Sequence, residues 1–345
     1  MRNTLTRTTA TLLATLAAAP AMTQTPALTP GYDRFDIPAD HRAGLLAGSV
    51  WYPSAGGGHP GLIGDNPAFI GRAVRVGARL PEGRHPLVLI SHGSGGNMDG
   101  LGWLSAELAA AGALVVGVNH PGSTSGDSSP RRSARLDQRA QDLSAALDEA
   151  LALFGDHVDP DRITALGFSM GGGTVLMTAG ARFDTGLYAD YCATRPAPVD
   201  CAFFRSGGVD PAAMPDEVGA DLHDARLSAV IAIDPGLGYA LTRDSLATIE
   251  APVLLVNLGQ FGPDSIWSAV DAGPDGADLL GAIPGAAHRV IEGAAHFSFL
   301  ALCKPGAEEM LAEEDDDPIC TDPAGSDRAD IHARIIAELR DFLDL

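Results

Sequence analysis

The chain has 345 residues, 46% of them hydrophobic and 19% charged, with a formal net charge of −21. That apolar share supports a sizeable core and excludes a disordered acidic chain. Forty-four acids against 23 bases, among which Lys304 is the one lysine, repel nucleic acid and leave no polybasic patch for anionic lipid.

At the start of the chain, Arg2 and Arg7 precede an apolar run from Ala10 to Ala21. Ala19-Pro20-Ala21 fits a small-x-small cleavage site, so residues 1–21 are predicted to be a secretory signal peptide. The run is too short to cross a bilayer as a mature helix, and later apolar runs are interrupted by Gly, Pro and acids. The expectation is export to the periplasm or outside the cell, without stable membrane insertion. No linker or repeat divides residues 22–345, which are read as one domain.

Gly44 to Tyr52 ends in a strand-like stretch. Five short apolar runs follow: Pro86–Ser91, Ala113–Val118, Ile163–Gly167, Ala229–Ile233 and Val253–Val256. A shorter one is His288–Ile291. Such runs read as buried parallel strands. Helical patterns lie between most of them, at Trp103–Ala111, Ser133–Leu153 and Met170–Gly180, and another closes the chain at Asp327–Leu343. The alternation predicts an α/β fold with a mostly parallel, doubly covered sheet.

Two segments break the alternation. Residues 181–227 carry Cys192, Cys201, Pro196 and Pro198 and read as a lid-like insertion that lines a pocket near Tyr188–Phe204. Residues 303–327 hold Cys303, Cys320 and eight acids between Glu308 and Asp322. Their spacing matches no EF-hand loop, so the stretch reads as a solvated loop, remote in sequence from Ser169 and Asp234, whose charge says little about substrate. The four cysteines form no C-x-x-C pair, and in an exported chain they suggest disulfides. Cys192–Cys201 and Cys303–Cys320 are the expected local pairings, each closing a short loop.

The chemistry sits at strand ends. Gly167-Phe168-Ser169-Met170-Gly171 is G-x-S-x-G, following an apolar strand and opening a helix. A turn that sharp leaves room only for small residues two positions either side of the serine, and it lifts the hydroxyl to a helix N-terminus. Ser169 is thus the candidate nucleophile. Ser91-His92-Gly93-Ser94-Gly95-Gly96 follows an earlier strand, and the backbone amides of Ser94 and Met170 are the expected oxyanion donors. His92 is read as a structural histidine bonded to local backbone. His296, in a small-residue loop after the last short strand, is the candidate base, and His120 is expected to shape the pocket. For the acid, Asp234 directly follows a strand, whereas Asp264 lies on a looser loop and Asp271 further still; placement favours Asp234.

These residues resemble the alpha/beta-hydrolase superfamily, in particular an exported predicted dienelactone-hydrolase-like branch that is itself similar to platelet-activating factor acetylhydrolase. The resemblance rests on PLVLISHGSGG (86–96), VNHPG (118–122), DRITALGFSMGG (161–172), AIDP (232–235) and GAAHFSFL (293–300). It implies nucleophile Ser169, base His296, acid Asp234 and oxyanion donors Ser94 and Met170, with no cofactor or metal. True dienelactone hydrolases use a cysteine nucleophile, so the family does not set the substrate. The histidine usual before the nucleophile is Phe168 here. The expected activity is hydrolysis of a small-molecule carboxylic ester. A phospholipase-like acetylhydrolase, a polyester hydrolase and a non-catalytic binding protein are the alternatives; oligomeric state is not legible.

Overall fold

A computed structural model describes residues 29–195, 198–259 and 266–345. The predicted signal peptide lies outside the described residues. The strands are β1 Gly31–Ile37, β2 Leu46–Tyr52, β3 Gly57–Ile63, β4 Arg72–Ala78, β5 His85–Ser91, β6 Leu114–Val118, the two-residue arms β7 Ser123–Thr124 and β8 Asp127–Ser128, β9 Val158–Phe168, β10 Ala229–Ile233, β11 Val253–Leu258 and β12 Ala287–Ile291. The helices are α1 Gly102–Ala110, α2 Pro130–Ser133, α3 Leu136–Phe154, α4 Met170–Thr178, α5 Thr185–Thr194, α6 Val199–Ser206, α7 Arg243–Leu246, α8 Trp267–Val270, α9 Leu279–Ala282, α10 Ala307–Glu313 and α11 Arg328–Leu343.

Ten strands form one sheet in the order β12-β11-β10-β9-β5-β6-β2-β1-β4-β3. From β12 to β6 every neighbour is parallel. From β6 to β2 and β1 the pairing turns antiparallel. The predicted parallel runs all belong to the first half. The strands not anticipated, β1, β3 and β4, belong to the second, where Gly and Pro interrupt the hydrophobic pattern. Pro60 sits in β3, an edge strand, where its missing N–H disturbs no second ladder.

The central strands are apolar on both faces because both faces are covered. In β10, Val230 and Ala232 join one core while Ile231 and Ile233 join the other. Helix α3 lays Leu136, Ala140, Leu143 and Leu147 on the first face. Helix α11 lays Ile331, Ile335, Leu339 and Leu343 on the second, four residues apart as a helical stripe requires. Asp327 caps α11 by accepting from the amides of Ala329 (2.8 Å) and Asp330 (3.2 Å).

Both expected disulfides are present, Cys192–Cys201 and Cys303–Cys320. The first joins α5 to α6 in the insertion. The sheet reverses its winding between β5 and β9: the chain moves one way to β6 and the other way to β12. In an open α/β sheet the crevice beyond the carboxyl ends at this point is where ligands bind.

Candidate active site

Ser169 is the residue between β9 and α4, at φ 57° and ψ −122°, a conformation that L-residues rarely adopt. The flanking glycines are obligatory. A Cβ on Gly167 would lie 2.0 Å from the Gly171 carbonyl oxygen, and one on Gly171 would lie 2.0 Å from that of Ser91. The elbow is thereby wedged against the end of β5.

The hydroxyl of Ser169 is 3.1 Å from His296 Nε2, and His296 Nδ1 is 2.8 Å from Asp234 Oδ2. His296 follows β12, and Asp234 directly follows β10, at φ 42°. The other Asp234 oxygen accepts from the Leu258 amide (2.9 Å) and from Asn257 Nδ2 (3.0 Å). Asp264 lies outside the described residues. Asp271 accepts from the amide of Gly273 in its own turn. Phe168 stacks on the His296 ring, centroids 4.6 Å apart, and so walls the imidazole on one side.

Two peptide planes beside Ser169 are held by their carbonyls. In a trans peptide the C=O and the following N–H point in opposite directions. Gly93 O accepts from His92 Nδ1 (2.7 Å) and from the Gly96 amide (3.1 Å), so the Ser94 N–H is aimed away from that cluster. Ser169 O accepts from the amides of Gly172 (2.8 Å) and Gly236 (2.9 Å), so the Met170 N–H is aimed oppositely. Met170 opens α4, where an amide has no intrahelical acceptor. His92 is buried and bonded to backbone. Its Nε2 accepts from the His120 amide (3.3 Å), which leaves the ring hydrogen on Nδ1. Burial first, then His120 and Arg139, hold its pKa well below the usual range, so it stays neutral.

Two cavities meet at Ser169 and His296. One, of about 370 Å³, is lined by Asn66, Phe69, Asn97, Leu300, Asp316 and Ile319 among others. The other, of about 340 Å³ and mostly apolar, is lined by Val199, Phe203, Leu237, Ile266 and Val270. Asp317 borders both. The insertion thus supplies Val199, Asp200 and Phe203 to the pocket, whereas Tyr188 is fully buried.

Two sequence expectations are corrected. His120 does not shape the pocket. It is fully buried behind the loop of residues 92–96, where it bonds Ser91 Oγ and Asp142 Oδ2, each at 2.9 Å. Nor is the acidic segment remote in space: although distant in sequence, Asp316, Asp317 and Ile319 line the same cavity as Ser169. The segment is anchored by Arg328, which donates to Asp322 and to the Ile319 carbonyl, and Asp322 in turn accepts from Ser298 Oγ beside His296. Sequence reading also missed Asn257. Its Nδ2 donates to Asp234 and to the Val270 carbonyl, and its Oδ1 accepts from the Ala272 amide and His288 Nε2. The available signal was one amide ending the apolar run of β11.

The family described as alpha/beta hydrolase fold matches residues 86–218. A ferulic acid esterase from Streptomyces cinnamoneus is 19% identical, with 95% of this chain and 91% of that chain covered and a TM-score of 0.59. A structure named m3DLH is 18% identical, covering 91% of this chain and 97% of that chain, with a TM-score of 0.50. A dienelactone hydrolase from Anabaena variabilis is 14% identical, covering 83% and 95%, with a TM-score of 0.42. No curated protein matches the chain.

Proposed function

The chain is an alpha/beta hydrolase by fold, and from that premise we propose that it is a serine esterase cleaving carboxylic esters through an acyl-enzyme. The observation that carries this reading is the unbroken hydrogen-bonded chain from Ser169 Oγ through His296 to Asp234, opening onto two cavities.

In this mechanism Ser169 Oγ attacks the ester carbonyl carbon while His296 Nε2 takes its proton. Asp234 keeps the imidazole in the Nδ1–H tautomer and stabilises the imidazolium. The amides of Ser94 and Met170 bind the tetrahedral oxyanion. The intermediate collapses as His296 returns the proton to the departing alkoxide, leaving an acyl-Ser169 ester. Water, deprotonated by His296, repeats the sequence and releases the acid. The apolar cavity against α6 suits one hydrocarbon arm of the ester.

The charged groups lining both cavities, apart from histidine, are carboxylates among the described residues. That supports uncharged or cationic substrates over anionic ones. Two disulfides and the basic-then-apolar start of the chain support an exported protein.

The test is hydrolysis of nitrophenyl esters by wild type and Ser169→Ala, with fluorophosphonate labelling mapped by mass spectrometry. We expect label on Ser169 and a loss of roughly 10³-fold or more in kcat for Ser169→Ala. Equal turnover in the variant would end the reading, and an unlabelled, inactive wild type would favour a binding protein on a hydrolase fold. A chain-length series separates short-acyl esters from phospholipid-like and polyester substrates.

A further inference from the structure

A buried cation stands directly behind the proposed oxyanion donors. Arg139 projects from α3 and is almost wholly buried, with a side chain among the largest that the core encloses. Such a charge is costly unless its hydrogen bonds are satisfied, and the usual solution is a carboxylate partner. Arg139 has a different set. Its Nε donates to Thr174 Oγ1 (3.1 Å), its Nη1 to Ser123 Oγ, and its Nη2 to Ser91 Oγ (3.2 Å) and the His92 carbonyl. The nearby Asp142 is committed to Arg42, His41 and His120. Surrounded by neutral acceptors, the guanidinium has its pKa pushed down to about 9, by burial above all.

The four acceptors belong to three separate stretches of the chain: Ser91-His92, Ser123 and Thr174. Ser91 ends β5. The His92 carbonyl begins the loop that presents the Ser94 amide. Ser123 lies in β7, whose carbonyl accepts from the Gly95 amide at 2.9 Å on the far side of the same loop. Thr174 sits one turn into α4 and donates its own hydrogen back to the Met170 carbonyl at 2.9 Å. One planar fork therefore reaches both peptide segments that hold the two amides, from within the core. An ammonium has neither the planarity nor the number of donors to span them.

We propose that Arg139 is a positioning residue that sets the spacing of the Ser94 and Met170 amides around the oxyanion, acting through the His92 carbonyl and Thr174. The inference rests on the serine-esterase reading above. Since those amides matter only once the carbonyl oxygen becomes charged, loss of the fork should weaken transition-state binding and leave ground-state binding largely intact.

The experiment compares wild type, Arg139→Met, Arg139→Lys and Thr174→Val. Rates are divided by the number of sites that a fluorophosphonate titrates to completion, so molecules that fail to fold do not count. For Arg139→Met, kcat per titrated site should fall about 10- to 100-fold, with KM within about threefold. The inhibition constant of a reversible trifluoromethyl ketone, whose hemiketal oxyanion needs both amides, should rise by a similar factor. Arg139→Lys should recover folded yield and only part of kcat. Thr174→Val severs one arm and should show a smaller loss of the same kind; it decides the matter where Arg139→Met does not fold. Wild-type kcat per titrated site, or a loss carried by KM alone, overturns the proposal. A wild type that takes no label at Ser169 overturns the esterase reading instead.

Discussion

Among the described residues the molecule contains two Ser–His–Asp chains. Ser169–His296–Asp234 is joined at 3.1 and 2.8 Å, and Ser91–His120–Asp142 at 2.9 and 2.9 Å. By distance alone they are equivalent. They differ in access: Ser169 and His296 line two cavities, whereas Ser91, His120 and Asp142 are fully buried. They differ also in backbone. Ser169 stands on a strained elbow at a helix start, while Ser91 is the last residue of a regular strand, paired on both sides. A base must accept a proton, and burial first, then Arg139, hold His120 down to about 4. The Ser91 hydroxyl meanwhile accepts from the Arg139 guanidinium. Three residues in line therefore make a relay, and only the elbow, the amides turned away from their carbonyls' partners and an open cavity make it a candidate for catalysis.

The sharpest way to break this comparison is to make the same change in both chains. Asp234→Asn should lower kcat by roughly 10³- to 10⁴-fold at little cost in folding, because the amide favours the wrong imidazole tautomer. Asp142→Asn should do the reverse. That carboxylate accepts from His41, Arg42 and His120, and these bonds hold its pKa far below the usual range against the opposing effect of burial. Removing its charge leaves the half-buried Arg42 guanidinium short of a partner, so the melting temperature should fall by several degrees while kcat per titrated site changes much less. A large kcat loss in Asp142→Asn with an unchanged melting temperature would refute the division of roles.

Much of the open chain was legible in sequence because its parts sit where strands end. G-x-S-x-G after Ile163–Gly167 and Asp234 after Ala229–Ile233 are local patterns, and the elbow's glycines have a steric reason visible in five residues. His296 required only the order of elements. The buried chain was not legible. Ser91 reads as the tail of an apolar run, His120 as one more loop histidine, and Asp142 and Arg139 as ordinary polar positions of an amphipathic helix. Each gains its meaning from a partner 16 to 48 residues away, as Arg139 does from Ser123 and Ser91. The acidic loop failed for the same reason. Its place at the cavity is held by the bonds of Arg328 to Asp322 and Ile319, which no periodicity encodes.

Acid should distinguish the two regions by stability. His120 and His332 are each held down to about 4, mainly by burial, and His92 well below its usual value. A histidine with a depressed folded pKa binds more protons when unfolded, so its contribution to stability is complete above about 6.5 and is lost as pH falls toward 4. Each pH unit in that window removes at most about 1.4 kcal/mol per histidine. The depressed Asp142 acts only at lower pH, below the ordinary carboxylate range. The melting temperature should therefore fall steadily from pH 7 to pH 5, and His120→Asn, which takes up no proton, should fall less steeply than wild type. Parallel slopes would show that the buried chain is not what acid attacks.

The smallest expected effect concerns what the open chain admits. Asp316 and Asp317 are exposed carboxylates at the cavity rim, and no described arginine or lysine lines either cavity. Exposed charges act across water, so their influence on a reacting ester is a fraction of a kcal/mol and shrinks with salt. Comparing kcat/KM for an acetylated hydroxybenzoate, a neutral nitrophenyl acetate and a cationic choline ester isolates it as a ratio. At low ionic strength the anionic-to-neutral ratio should rise about threefold in the Asp316→Asn/Asp317→Asn double variant, and the cationic-to-neutral ratio should drop correspondingly. Both shifts should fade at about 0.5 M salt, where the screening length is only a few ångströms. Ratios that ignore both the substitution and the salt would mean that the fold brings the acidic loop to Ser169 for its shape and not for its charge.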